Sequence, residues 1–147
     1  MKGIENITGV VHAAGMGTRL GDLTKDTPKA LIKVGGRPMV SYAIQLLKAL
    51  GFKKIVVVGG YLCPQVQEYL AKEYPDVIAV ENPEYKDDSL KTLNKSLPYC
   101  DGGIFQVDVD FIYPWKFVKQ VEDSNIFEGE DVKVMVTSQK ELIPADM

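Results

Sequence analysis

The chain has 147 residues, which is the length of one domain, and 46% of them are hydrophobic and 25% charged. A net charge of −3 excludes the broad basic field of most nucleic-acid-binding proteins, so we expect no nucleic-acid partner. No hydrophobic run approaches the roughly 20 residues of a membrane span, so we expect no membrane partner. Cys63 and Cys100 lack metal-ligand spacing, and the first residues lack an apolar signal segment, which together favour a cytoplasmic protein with reduced thiols.

The first half of the chain predicts a strand, a glycine-rich loop, a helix and a second strand. Ile7–His12 is a short hydrophobic strand. Pro38–Leu50 carries hydrophobic residues at helical spacing, with Pro38 suited to the first turn and Gly51 to the C-terminal stop. Lys53–Val58 contains "IVVV", an unbroken β-branched run that is typical of a strand buried on both faces of a parallel sheet.

The second half of the chain continues this alternation of helices and strands. The predicted elements are a helix at Pro64–Tyr74, a strand at Val77–Val80, a helix at Asp88–Leu97, a strand at Ile104–Val109, a helix at Pro114–Glu122 and a strand at Val132–Thr137. This order predicts an α/β fold with a doubly wound, mostly parallel, Rossmann-like sheet. Because ligands bind at the carboxyl ends of the strands in such sheets, the loop after the first strand is the first candidate site.

That loop, "AAGMGTRLGDLTKDTPKAL" at residues 13–31, combines small residues with strong cations. Its alanines and glycines let a nucleotide approach the backbone closely, where N–H groups can point at phosphate oxygens. Arg19 offers a planar fork for phosphate and Lys29 a mobile point charge. Two common phosphate loops do not fit, because Gly15, Gly17 and Gly21 have the wrong spacing for the dinucleotide fingerprint and the Walker pattern is absent.

The loop and the residues after it resemble the sugar-phosphate nucleotidyltransferases and their phosphocholine and inositol-phosphate cytidylyltransferase relatives. The family patterns A-G-x-G-[ST]-R-[LM], P-K-[AP]-[LM] and G-[KR]-P are matched in order by "AGMGTRL", "PKAL" and "GRP". The resemblance resumes more weakly at "NPEY", "SLKTL" and "VDVDFIY". It implies transfer of a nucleoside monophosphate from a nucleoside triphosphate to a phosphorylated sugar or alcohol, with release of pyrophosphate.

The resemblance also implies roles for individual residues. Arg19 is implied to draw charge onto the leaving pyrophosphate, and Lys29 to contact the reacting phosphates, so that both are catalytic. Asp110 is implied as a Mg²⁺ ligand, with Asp108 two residues earlier on the same strand face. The implied substrate-binding residues are Ala13, Ala14, Gly15, Met16, Gly17, Thr18, Tyr61, Asn82 and Ser89.

Several of these residues have a structural interpretation as well. Tyr61 either borders the nucleobase or packs against its neighbours, and Asn82 and Ser89 are either ligand contacts or loop and helix-cap residues. His12 is expected to be a strand-end histidine with a hydrogen-bond partner rather than a catalyst. Trp115 is expected in the core or at an interface.

The chain departs from the family pattern in two respects. The Asn that many relatives carry before the Ser-Leu motif is missing from "DDSLKTL", so contacts inferred from that Asn do not carry over. Relatives extend further and place most of the acceptor pocket there. We therefore expect residues 1–147 to be the nucleotide-binding portion of the domain, incomplete at the C-terminus, either as a piece of a longer enzyme or as a reduced relative. Its edge strand favours a homo-oligomer.

Two other functions compete with the enzyme interpretation. A non-catalytic nucleotide-binding or regulatory module would keep the same fold and the same loop. A nicotinamide-dependent oxidoreductase rests on the α/β pattern alone, and the glycine spacing argues against it.

Overall fold

The structure, a computed structural model, describes residues 3–86, 89–124 and 126–127. Strands and helices alternate along this part of the chain. In order, they are β1 Ile7–Ala13, β2 Lys33–Val34, β3 Arg37–Pro38, α1 Met39–Ala49, β4 Ile55–Gly59, α2 Cys63–Glu73, β5 Ile78–Glu81, α3 Ser89–Ser96, β6 Gly103–Asp108 and α4 Trp115–Asp123. Short 3₁₀ segments lie at Thr18–Thr24, Lys29–Leu31 and Leu97–Tyr99.

Four strands form a parallel sheet in the order β5-β4-β1-β6. From β1 the chain builds outward through β4 to β5 and then returns to place β6 on the other side of β1. A crevice opens at the carboxyl ends of the strands where the order reverses in this way, here between β1 and β6. The two remaining strands, β2 and β3, form a separate antiparallel hairpin.

The sheet is buried on both faces. Since successive side chains of a strand point to opposite sides, neighbouring residues of one strand belong to different core clusters. Val11 of β1 belongs to the larger core cluster, together with the inward faces of α1, α2 and α4. Its neighbour Val10 belongs to a smaller cluster on the opposite face, with Val56, Val58 and Val80, on the side where α3 contacts the sheet. Helices on both faces of a parallel sheet confirm the predicted doubly wound α/β fold.

The predicted helices and the first four predicted strands are confirmed, with ends that differ by at most two residues. Gly51 has a φ of +93°, and its N–H donates to the carbonyl of Lys48, as a C-terminal stop requires. The fifth predicted strand, Val132–Thr137, lies outside the described residues. None of the helices in the described part of the chain is long and apolar enough to cross a membrane.

Of the two places expected for Trp115, the structure excludes the core, and a place at an interface stays a prediction. It begins α4, and its side chain is 77% exposed. The helix turns Val118 and Val121 toward the core instead, and both are buried.

Candidate active site

The loops after β1 and β6 enclose an open pocket of about 340 Å³ at the point where the strand order reverses. The β1 side contributes a cation and small residues, and the β6 side contributes two carboxylates. A third side comes from the segment that leads into α3 and from α3 itself. The lining residues are His12, Ala14, Gly15, Lys29, Tyr85, Thr92, Asp108, Val109, Asp110 and Phe111.

Lys29 and Asp110 face each other across the pocket and join its two sides. The Lys29 ammonium donates to Asp110 Oδ2 at 2.5 Å. Lys29 is held in place by its neighbours, because Pro28 and Ala30 are both buried. Since both charged groups are partly exposed, the pair contributes little to stability. The pair instead fixes a cation and a carboxylate next to each other on opposite sides of the pocket.

Two glycines of the β1 loop have different surroundings. Gly17 has a φ of +67°, and a Cβ there would lie 2.9 Å from Thr24 Cγ2 and 3.1 Å from Lys29 Cβ. The stem of Lys29 can therefore pack over this position only because it has no side chain. Gly15, by contrast, has no atom within 4 Å of a Cβ position and faces the open pocket, so a ligand can reach its backbone.

Thr24 closes the 3₁₀ segment back onto the start of the loop. Its side chain is buried, and its hydroxyl lies 3.1 Å from the carbonyl of Gly17 and 3.2 Å from that of Gly21, either of which accepts its proton. Thr18 and Arg19 are exposed on this segment, and neither lines the pocket. Of the two cations of the loop, Lys29 therefore lines the pocket and Arg19 is exposed to solvent outside its lining.

The carboxylates Asp108 and Asp110 both line the pocket, as their spacing predicts. Asp108 ends β6 and lies opposite His12 in the parallel register, with its Oδ1 3.9 Å from His12 Nδ1. Gln106 supplies the partner expected for His12, because its Nε2 lies 3.3 Å from Nδ1 and can donate when the ring proton is on Nε2.

Burial lowers the pKa of His12 from its ordinary value of 6.5, and the nearby Asp108 carboxylate opposes that effect without cancelling it. Its Nε2 is buried and finds no hydrogen-bond partner among the described residues. The imidazole at the end of β1 is therefore neutral near pH 7, and the charges of the pocket are those of Lys29 and the carboxylates.

The third side of the pocket is built on Asn82, which is fully buried. Its amide donates to Thr92 Oγ1 at 3.0 Å, and its Oδ1 accepts the Glu84 N–H at 3.0 Å. Thr92 and Tyr85 line the pocket, whereas Asn82 stands behind them. The fold therefore uses Asn82 to position this wall, and a contact of Asn82 with a ligand stays a prediction.

The pocket gathers Ala14, Gly15, Lys29, Asp108 and Asp110 of the predicted site residues. Ala13, Met16, Gly17, Thr18, Arg19, Tyr61 and Asn82 do not line it: Ala13 ends β1, the next four continue the loop, and Tyr61 and Asn82 follow β4 and β5. Ser89 begins α3. Sequence reasoning missed Thr24 as the closure of the loop and Tyr85 as a wall. Tyr85 ends the quoted "NPEY" motif, whereas nothing in the local pattern marks Thr24.

Residues 9–145 match the family model of the MobA-like NTP transferase domain. The chain belongs to this family. It is 40% identical over 124 residues to the 2-aminoethylphosphonate cytidylyltransferase of Lancefieldella rimae, a match that covers 84% of this chain and 48% of that protein. It is 42% identical over 78 residues to the choline-phosphate cytidylyltransferase of Streptococcus pneumoniae, covering 53% of this chain and 33% of that one.

Solved structures of NTP transferases share the fold. The CTP:phosphocholine cytidylyltransferase of Streptococcus pneumoniae superposes with a TM-score of 0.63 at 34% identity, covering 71% of this chain and 45% of that one. The inositol-1-phosphate CTP transferase of T. maritima gives a TM-score of 0.69 at 25% identity, covering 78% and 47%. This NTP transferase chain thus spans about half the length, or less, of these relatives. The roles of the individual residues in its pocket stay predictions.

Proposed function

We propose that this chain supplies the nucleotide-binding side of a nucleotidyltransferase. The reaction moves a nucleoside monophosphate, preferably cytidine monophosphate, from a nucleoside triphosphate to a small phosphorylated acceptor and releases pyrophosphate. The observation that carries the proposal is the Lys29–Asp110 pair across a pocket that Gly15 also lines, at the strand-order reversal. Similarity to two cytidylyltransferases supports cytidine and an alcohol phosphate or phosphonate, and a sugar 1-phosphate is the competing acceptor.

The residues of the pocket suit an in-line displacement at phosphorus. An acceptor oxygen forms a bond to the α-phosphorus, while the bond from that phosphorus to the bridging oxygen breaks and pyrophosphate leaves with the electron pair. Several negative charges meet in this step, so catalysis depends on positioning and charge neutralisation. Lys29 supplies a fixed cation that lines the pocket, the exposed Arg19 on the same loop a second cation, and Gly15 an open backbone for the phosphates.

The donor set of the pocket fits Mg²⁺ that arrives with a triphosphate. Among the described residues there is no cluster of three or more side chains that could hold a metal ion by themselves. Asp108 and Asp110 line the same pocket, and Mg²⁺ in proteins is often bound through one or two carboxylates together with substrate phosphates. When bound by these two residues, Mg²⁺ would neutralise charge on the phosphates.

Pyrophosphate release tests this function. The chain would be incubated with Mg²⁺, each of the four ribonucleoside triphosphates, and a panel of phosphocholine, 2-aminoethylphosphonate, inositol 1-phosphate and glucose 1-phosphate. We expect release above all with CTP and one of the first three acceptors, loss of release with a chelator, and loss in Lys29→Ala. Triphosphate binding by calorimetry without release from any acceptor would contradict the enzyme proposal and favour the non-catalytic module.

A further inference from the structure

The turn between β4 and α2 touches both ends of the glycine-rich loop. The backbone N–H of Tyr61 donates to the carbonyl of Ala14 at 3.4 Å, where the loop leaves β1. The phenol of the same residue donates to the carbonyl of Lys25 at 2.7 Å, on the returning half of the loop. In the first turn of α2, the side-chain amide of Gln65 donates to the carbonyl of Asp26 at 3.1 Å.

The geometry of this turn is demanding. A Cβ at Gly60 would lie 2.7 Å from the carbonyl oxygen of Ala14 and would also collide with Tyr85, so only glycine allows β4 and the loop to approach this closely. Leu62 has a φ of +51°, and it is the one non-glycine residue with a positive φ in the described part of the chain. This conformation is disfavoured for a residue with a large side chain and persists only where the surroundings impose it.

The contacts of Tyr61 reach the cations through the loop itself. Lys25, whose carbonyl receives the phenol, follows Thr24, and Thr24 binds the loop back to Gly17. Gly17 in turn lies under the stem of Lys29. Arg19 lies on the 3₁₀ segment between Gly17 and Thr24. The closing half of the loop is therefore fixed from outside by two side chains of the β4–α2 region.

We propose that Tyr61 is a positioning residue, assisted by Gln65, that holds the closing half of the loop so that Arg19 and Lys29 stay oriented for transfer. This inference rests on the proposed function and gives Tyr61 a role other than a border of the nucleobase. The Tyr61 hydroxyl already donates to the Lys25 carbonyl, and Tyr61 does not line the pocket. A loop released from this bond still carries both cations but samples more arrangements, which lowers turnover more than ground-state binding.

The test compares Tyr61→Phe with Tyr42→Phe. Tyr42 is a matched control, because its phenol also donates to an exposed backbone carbonyl, that of Val34 at 2.6 Å, in the β2–β3 hairpin. We expect Tyr61→Phe to speed hydrogen exchange at the Leu20 and Lys25 amides by up to about tenfold. That factor corresponds to the net free energy that one hydrogen bond contributes to the closed loop. Both amides donate within the loop. Exchange in β1 and β4 should stay unchanged, and Tyr42→Phe should leave the loop as it is.

Kinetics of the same variants distinguish a Tyr61 that positions the loop from a Tyr61 that contacts the ligand directly. We expect Tyr61→Phe to lower kcat several-fold with a triphosphate Kd within about twofold of the unchanged chain, and Gln65→Ala to act in the same direction more weakly. Unchanged loop exchange in both Tyr61→Phe and Gln65→Ala would overturn the inference. So would an equal loss of turnover and of triphosphate binding, which indicates a direct ligand contact. If the unchanged chain releases no pyrophosphate, the proposed function fails, while the exchange comparison still decides whether Tyr61 holds the loop.

Discussion

The loop after β1 and the loop after β6 build the two sides of one pocket in different ways. The β1 loop is tied to itself by Thr24 and to the β4–α2 region by Tyr61 and Gln65. The β6 loop is joined to β1 by the bond from the Val109 N–H to the His12 carbonyl at 3.0 Å, and its turn is closed by a 3.4 Å bond from the Phe111 N–H to the Asp108 carbonyl. Phe111 itself is 57% exposed beside the pocket.

This difference indicates a division of work between the two sides. The β1 side is preorganised, with fixed backbone and one anchored cation, which suits the constant part of a substrate such as a triphosphate. The β6 side offers carboxylates and an exposed ring, which suits groups that arrive with the substrates. Within the described residues, the ion pair of Lys29 with Asp110 is the one recorded salt bridge that joins the two loops.

Removing either end of that pair gives the largest effect that we expect. Lys29→Ala removes the cation proposed to contact the reacting phosphates, and Asp110→Asn removes a carboxylate proposed to hold Mg²⁺. Each should lower kcat/KM by about a hundredfold or more, as the loss of one transition-state contact does in other enzymes. The free energy of unfolding should fall by less than about 1 kcal/mol in each variant, because the pair is partly exposed. Steady-state pyrophosphate release and urea unfolding measure the two quantities.

The opposite end of the sheet offers a matched control for this prediction. Lys54 and Asp101 form a similar ion pair, with Nζ 2.6 Å from Oδ2, before β4 and before β6. Lys54→Ala and Asp101→Asn should change stability as little as the pocket variants do and leave turnover unchanged. If Asp110→Asn kept full turnover and Mn²⁺ binding in the presence of triphosphate, Asp110 would be only the counter-ion of Lys29.

The preorganisation of the β1 side is tested by two glycines that differ in their surroundings. Gly17→Ala puts a Cβ in a left-handed backbone and against Thr24 and Lys29, so we expect a loss of about 2 kcal/mol of unfolding free energy. Gly15→Ala meets open space, and its stability should stay within about 0.5 kcal/mol of the unchanged chain. Chemical denaturation measures both.

The variant that keeps its stability, Gly15→Ala, should be the one that loses more affinity for the triphosphate. Gly15→Ala places a methyl group on the backbone that we propose the phosphates approach, so calorimetry should show weaker triphosphate binding even though the fold is intact. Equal stabilities of the two variants would mean that the loop adapts to a Cβ at Gly17, and that the β1 side is not preorganised.

The elements that carry periodic hydrophobic patterns were predictable from the sequence. The run "IVVV" predicts β4, because a strand buried on both faces is hydrophobic without interruption. The hydrophobic stripe predicts α1, because a helix that buries one face repeats hydrophobic residues at helical spacing. The family resemblance, and not the hydrophobic pattern, assigned Lys29 and Asp110 to one site. That β1 and β6 are neighbours, and that the two side chains meet across 81 positions of the chain, is known only from the structure.

The parts that were not predicted depend on contacts between distant residues. The 3₁₀ segment Thr18–Thr24 has no hydrophobic period, and its closure comes from one buried hydroxyl. The bond from Tyr61 to Lys25 joins residues 36 positions apart, so a tyrosine beside a glycine pair gave no sign of its partner. The sequence left Trp115 open between the core and an interface. The core is excluded because Trp115 is the first residue of α4 and falls on its outer face, which a short pattern does not reveal.

The smallest effect that we expect concerns His12, which joins the strands that carry the two loops and is the one histidine of the chain. Its pKa is lowered by burial, so the folded chain binds fewer protons than the unfolded chain as the pH falls below 6.5. Stability should therefore decrease on acidification from pH 6.5 down through the lowered pKa, and His12→Gln should flatten this dependence. Asp108→Asn should lower the pKa further, because that carboxylate favours the charged imidazole. NMR titration of the single imidazole in metal-free buffer, with urea unfolding at each pH, measures both effects. A pKa at or above 6.5 would mean that Asp108 on the β6 side outweighs burial on the β1 side, and that His12 adds a positive charge to the pocket near neutral pH.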